Sequence, residues 1–179
     1  MNERGTTLIE LVIYIAILGI AVTGILYVTF PIIKVSKRNS AATETSQNAR
    51  FVLDNLKADL GLAANITEPT VGIKTSDRLV LAMPDTTSVV YEINSGNVER
   101  KVYNGINLLK NYTINSHLTN ITHRKDVGET DINYFKLVPN ADVSKKPSIQ
   151  ISIKINYLAN NISNFSQEYQ TTSLLSGGL

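Results

Sequence analysis

Few residues of this chain are placed to do chemistry, and the one whose position demands a reason is Glu10. It is the only charge between Leu8 and Phe30, a run of about 23 residues dominated by Leu, Ile and Val, with Thr23 and Thr29 the main polar interruptions. A carboxylate in hydrocarbon costs on the order of 2.5–3.5 kcal/mol even on a lenient insertion scale. Glu10 therefore either sits near the interface as a tolerated acid, close to Arg4, or waits for a cation. The simplest cation is a free terminal amine. Cutting the chain after Gly5 would create one on Thr6, and in a bundle of such helices Glu10 of one copy could meet the amine of its neighbour.

The remaining candidates are weaker. His117 and His123 lie six apart in a polar stretch and read as surface histidines. Asp126, Glu129 and Asp131, with Gly128 among them, could hold Ca²⁺, but the EF-hand spacing is absent and a solvated acidic loop is expected. Lys145-Lys146 beside Pro147 reads as an exposed turn. There is no Gly-x-Ser-x-Gly, no phosphate loop and no His-Glu-x-x-His. With no nucleophile–base pair to nominate, no enzyme activity, cofactor or metal is expected. The chain has no cysteine, so disulfides and thiolate metal sites are excluded. A net charge of +2 without a basic stripe argues against a nucleic-acid partner. Five Asn-x-Ser/Thr triplets, at Asn65, Asn111, Asn120, Asn161 and Asn164, fit compositional coincidence in an Asn-rich chain.

These residues must be positioned by the elements around them. At about 1.5 Å per residue, the apolar run makes a helix roughly 34 Å long, enough to cross a bilayer core with slight tilt. It is too long for the core of a secretory signal, Met1–Gly5 is too short for the basic start, and no small-x-small cut site follows. Pro31 predicts a kink just beyond the run. Apolar or small residues then recur at Val35, Ala42, Ala49, Leu53, Leu56, Leu60 and Ala63, and from Ala49 onward the spacing alternates four and three, a one-sided stripe that needs a partner surface. Ser36–Gln47 is polar and is expected to face solvent or neighbouring subunits. Arg50, Asp54, Lys57 and Asp59 fall off the stripe, with Arg50 and Asp54 spaced to pair. Asn65, Pro69 and Gly72 end the helix.

Beyond residue 65 the period changes to two. Arg78–Met83 and Ser88–Ile93 read as strands, and Asn94-Ser95-Gly96-Asn97 is a tight turn into a return strand, Val98–Tyr103. Asn104-Gly105 is a second turn signal, before a short strand or bridge over Ile106–Ile114. Asn115–Asp131 reads as a polar loop. Asn133–Val138 is a strand, Ala141–Pro147 a basic turn, and Gln167–Leu175 a last strand. Ser148–Tyr157 is the clearest half-buried strand, with Ile149, Ile151, Ile153, Ile155 and Tyr157 on one face. The expected class is α+β: a long N-terminal helix, membrane-spanning in its first half and amphipathic in its second, packed on an antiparallel β-sheet.

Arg4-Gly5-Thr6-Thr7-Leu8-Ile9-Glu10 and the apolar helix after it resemble the prepilin signal of type IV pilins and type II secretion pseudopilins, although Thr6 stands where that family usually has Phe. The resemblance implies cleavage between Gly5 and Thr6 by a membrane-embedded prepilin peptidase, N-methylation at Thr6, and an assembly role for Glu10. Asn48-Ala49-Arg50-Phe51 through Asp59-Leu60, followed by Tyr91 and Arg100 in a hairpin, resembles minor pilins and J-type minor pseudopilins as far as about residue 103. Together these imply a leader (1–5), a transmembrane assembly helix (6–30), an amphipathic extension (31–64) and an extracytoplasmic β domain (65–179). The implied partners are other pilin or pseudopilin subunits in a filament, prepilin peptidase, an inner-membrane assembly platform and membrane lipid. Charge bias alone points the other way, since Lys34, Lys37 and Arg38 follow the span, but that tendency weakens for long translocated domains. The rival expectation is a signal-anchored extracytoplasmic adhesin that keeps residues 1–5.

Overall fold

The structure is a computed structural model, and it describes residues 7–70, 75–125, 131–139, 147–158 and 165–175. One helix, α1 (Leu8–Leu62), precedes strands β1 (Asn65–Glu68), β2 (Thr75–Ser76), β3 (Arg78–Ala82), β4 (Thr87–Asn94), β5 (Asn97–Asn104) and β6 (Asn107–Thr113). Strands β7 (Thr119–Thr122), β8 (Arg124–Lys125), β9 (Asp131–Ile132), β10 (Phe135–Val138), β11 (Ser148–Tyr157) and β12 (Ser166–Leu174) complete the described order. The chain divides into two compact units, Met1–Ser40 and Ala41–Leu179, and α1 supplies residues to both. The class is the expected α+β, a long helix with antiparallel strands, but among the described residues the strands form two five-stranded sheets and a two-stranded ribbon rather than one sheet.

In the first unit α1 is apolar on all sides from Leu11 to Ile33 and covered on none. Its large apolar residues from Leu8 to Val35 are between 45% and 82% exposed. Pro31 lies inside the helix and does not end it. Thr23 and Thr29 donate their hydroxyls to the carbonyls of Gly19 (2.8 Å) and Ile25 (2.7 Å), so neither brings an unpartnered polar group to the segment.

In the second unit α1 buries a stripe through Ala41, Thr45, Ala49, Val52, Leu56 and Leu60, with Ala63 just beyond the helix. Steps of three and four keep these on one face. The stripe begins earlier than expected: Ser36–Gln47 is not wholly outward, because Ala41 and Thr45 are fully buried. Thr45 enters the core without penalty by donating to the Ala41 carbonyl at 2.7 Å. Val52 fills the position expected of Leu53, which is only partly buried against the same cluster.

Sheet order β1-β3-β4-β5-β6 is antiparallel throughout. The β4–β5 hairpin turns on Ser95 (φ 50°) and Gly96 (φ 81°), the paired positive φ values that match the right-handed twist of its strands. A Cβ at Gly96 would also lie 1.9 Å from Asn120 Oδ1, so that any other residue there would push the Asn120 side chain aside. The second sheet is built on β11, which pairs with β12 along one side and with β10 and then β7 along the other. Ile149, Ile151, Ile153 and Ile155 are each 2% exposed or less. Each contributes about 1.5–3 kcal/mol of burial. They join the helix stripe and Leu79, Leu81, Val89, Tyr91 and Val98 of the first sheet in one contiguous core.

Three sequence expectations are corrected. Asn115–Asp131 is not simply a loop, for β7 lies within it and Ile121 is 1% exposed. Its four residues alternate buried and half-buried, a signal too short to stand out among polar neighbours. Strand β1 follows the helix directly where only a helix stop was expected, held by pairing with β3. Arg50 and Asp54 form no ion pair; exposed i, i+4 pairs gain too little to fix two long side chains.

Candidate functional site

Two places on α1 carry acids among apolar residues, and they are built differently. The first is the helix start. The Thr7 carbonyl accepts the Glu10 and Leu11 backbone N–H groups at 3.0 and 3.2 Å, so Glu10 lies in the first turn. A carboxylate there is favoured by the partial positive charge of the helix N-terminus. Glu10 is exposed, and the one hydrogen bond to its carboxylate among the described residues comes from the Tyr14 hydroxyl, which donates to Oε1 at 3.4 Å. Gly5 and Thr6, the expected cleavage and methylation positions, lie outside the described residues. The helix has a stretch of mean hydropathy 2.6 with none of it buried, which separates it from the core helix of a soluble domain. Such a surface needs lipid or other helices against it.

The second place is Asp59, which the sequence put off the apolar stripe and which is instead 7% exposed. It is held by a clasp. Arg100 of β5 donates through Nε to Oδ2 at 2.7 Å and through Nη2 to Oδ1 at 2.9 Å, a two-pronged match of guanidinium to carboxylate. Tyr91 of β4 donates its hydroxyl to Oδ2 at 2.5 Å. Burial, then the bond to Asp59, pushes the Tyr91 phenol well above its ordinary 10.0, and the Asp59 bond likewise raises Arg100, so the cation and the phenol both keep their protons. A further polar tie comes from Asn48, whose Oδ1 accepts the Ser116 N–H at 2.7 Å. Asn115 secures the hairpin by accepting the Val98 N–H at 2.7 Å and donating to the Thr119 carbonyl at 3.0 Å. The spacing of Asp59 to the hydrophobic stripe could not reveal the clasp, because its partners lie 32 and 41 residues away.

The other candidates do not converge. His123 meets Asp77 Oδ1 at 2.9 Å and stacks on Tyr134, with ring centres 4.1 Å apart. Asp126, Gly128 and Glu129 lie outside the described residues, as do Lys145, Lys146, Asn161, Asn164 and Gly72, and nothing is described of the Asp131 side chain. Among the described residues no three His, Asp or Glu stand together as a metal site would need.

Residues 1–26 match the family model described as the prokaryotic N-terminal methylation motif. The match covers 26 of the 179 residues and supports a place for the chain in the type IV pilin-like superfamily. It points to a structural subunit that assembles with other pilin subunits and is handled by prepilin peptidase, and the apolar helix is consistent with anchoring in the inner membrane. No curated protein and no solved structure matches the chain.

Proposed function

We propose that the chain is a minor subunit of a type IV pilus or type II secretion pseudopilus. Prepilin peptidase cuts between Gly5 and Thr6, Thr6 is N-methylated, and Glu10 neutralises the Thr6 amine of an adjoining subunit. Residues 1–5 serve as leader, 6–30 as membrane and assembly helix, 31–64 as amphipathic extension and 65–179 as the extracytoplasmic domain. The subunit sits first as a single-pass protein of the cytoplasmic membrane, engages the assembly platform, and then enters the filament. The observation that carries this reading is a single carboxylate in the uncovered apolar segment Leu8–Phe30, in a chain whose residues 1–26 match a methylation motif.

The minor assignment draws on a second observation. The residues that resemble the J-type subunits, Asp59 on the helix and Tyr91 and Arg100 in the hairpin, touch one another in one buried clasp. Mass spectrometry of the mature chain tests the reading: Thr6 is expected as the first residue. A chain retaining Met1–Gly5 would instead be a signal-anchored adhesin.

A further inference from the structure

We infer that Tyr14 is a positioning residue for Glu10: its phenol holds Oε1 and leaves Oε2 open toward an incoming ammonium. The inference rests on the assembly reading above and adds a residue to it. Tyr14 follows Glu10 by four positions, which places it one turn along the same face, and helical side chains lean back toward the N-terminus. The contact is accordingly Tyr14 Oη donating to Glu10 Oε1, at 3.4 Å.

The three hydroxyls of this helix segment with hydrogen bonds among the described residues divide into two kinds. Thr23 and Thr29 spend their protons on their own helix, on the Gly19 and Ile25 carbonyls. A phenol stands too far from the backbone to do the same. Tyr14 reaches instead for the one charged side chain between Leu8 and Phe30. At 3.4 Å the bond is long for O–H···O; in hydrocarbon the low dielectric strengthens it. A carboxylate has about four acceptor sites. One filled by the phenol lessens the loss of hydration and fixes the rotamer, so that the remaining oxygen meets the amine with less ordering at the moment of assembly.

The test uses the full processed chain in detergent micelles, with Tyr14 isotope-labelled on its ring carbon bearing oxygen. The infrared band of that C–O bond is expected to shift when Glu10→Gln is introduced; an unshifted band overturns the contact. In cells, Tyr14→Phe is expected to lower incorporation into filaments several-fold. Ile13→Tyr combined with Tyr14→Phe restores a phenol at three positions from Glu10 and is expected to recover most of it, whereas Ile15→Tyr with Tyr14→Phe is not. Equal incorporation of Tyr14→Phe and wild type overturns the positioning role. Normal incorporation of Glu10→Gln rejects the parent reading and the positioning role with it, and is told apart from a failed contact because the band shift is read in subunits that have not assembled.

Discussion

Glu10 and Asp59 lie on the same helix, each among apolar residues, and their surroundings differ in kind. Asp59 is 7% exposed and answered within the chain by a guanidinium and a phenol, at 2.5–2.9 Å. Glu10 is exposed, and among the described residues only a phenol at 3.4 Å reaches it. A buried charge with its partners in place supports the fold; an acid in an apolar surface, with no cation beside it among the described residues, serves assembly on the reading proposed above. The difference assigns stability to one and association to the other, and each assignment can be broken separately.

The largest effect is expected at Asp59. Asp59→Ala leaves the Arg100 guanidinium half-buried without its carboxylate, a change that costs about 3–5 kcal/mol. Thermal unfolding of the detergent-solubilised chain, followed by circular dichroism, should fall by roughly 10–20 °C. An unchanged midpoint would mean the clasp is decorative. Glu10→Gln comes next and should do the opposite: the midpoint stays, while incorporation into filaments drops on the order of a hundredfold, the equivalent of the roughly 2.5–3.5 kcal/mol that a charge left unmatched in hydrocarbon costs, here the Thr6 ammonium of the adjoining subunit. Filament yield by immunoblot of sheared material, normalised to membrane-inserted subunit, reads this out. A loss of stability at Glu10→Gln, or of assembly alone at Asp59→Ala, would erase the distinction.

Tyr91 sharpens the Asp59 side. Tyr91→Phe removes a hydroxyl donated to a charged acceptor and should cost about 1.5–3 kcal/mol. Its phenol is raised above 10.0 in the folded chain, chiefly by burial and then by Asp59. A group whose folded pKa is raised gives stability that is present in full below its unfolded pKa and is lost as pH climbs past it. Wild-type stability should thus be insensitive to Tyr91 ionisation below pH 10 and decline above, by up to about 1.4 kcal/mol per pH unit for one proton. Tyr91→Phe should flatten that decline. Urea titrations at pH 8 and pH 11 compare the two directly.

What the sequence made legible follows the same division. The apolar run, the exception at Glu10 and the alternation of Ile149 to Ile155 are all local patterns, and all were read correctly as to element. The strand pair around Ser95-Gly96 was legible because that turn demands positive φ, which Gly supplies. The clasp was not legible: a charge four positions off an apolar neighbour looks the same whether it faces water or a partner in another strand. Two sheets were read as one because alternation tells which face is buried, not which strand lies alongside. Strand β7 gave way to the same limit, with only Thr119 and Ile121 turned inward among polar neighbours.

The smallest effect completes the comparison with a third acid on the same helix. Asp54 is exposed and forms no ion pair among the described residues, five residues from Asp59 and with Arg50 one turn away. Periodicity treated the two alike, as charges off the stripe. If burial and hydrogen bonding, rather than position on α1, decide what an acid contributes, Asp54→Ala should move stability by no more than about 0.5 kcal/mol in either direction. Its filament incorporation should equal that of wild type. A loss at Asp54 comparable to that at Asp59 would show that helix charge itself, and not the Arg100–Tyr91 clasp, holds the second unit together.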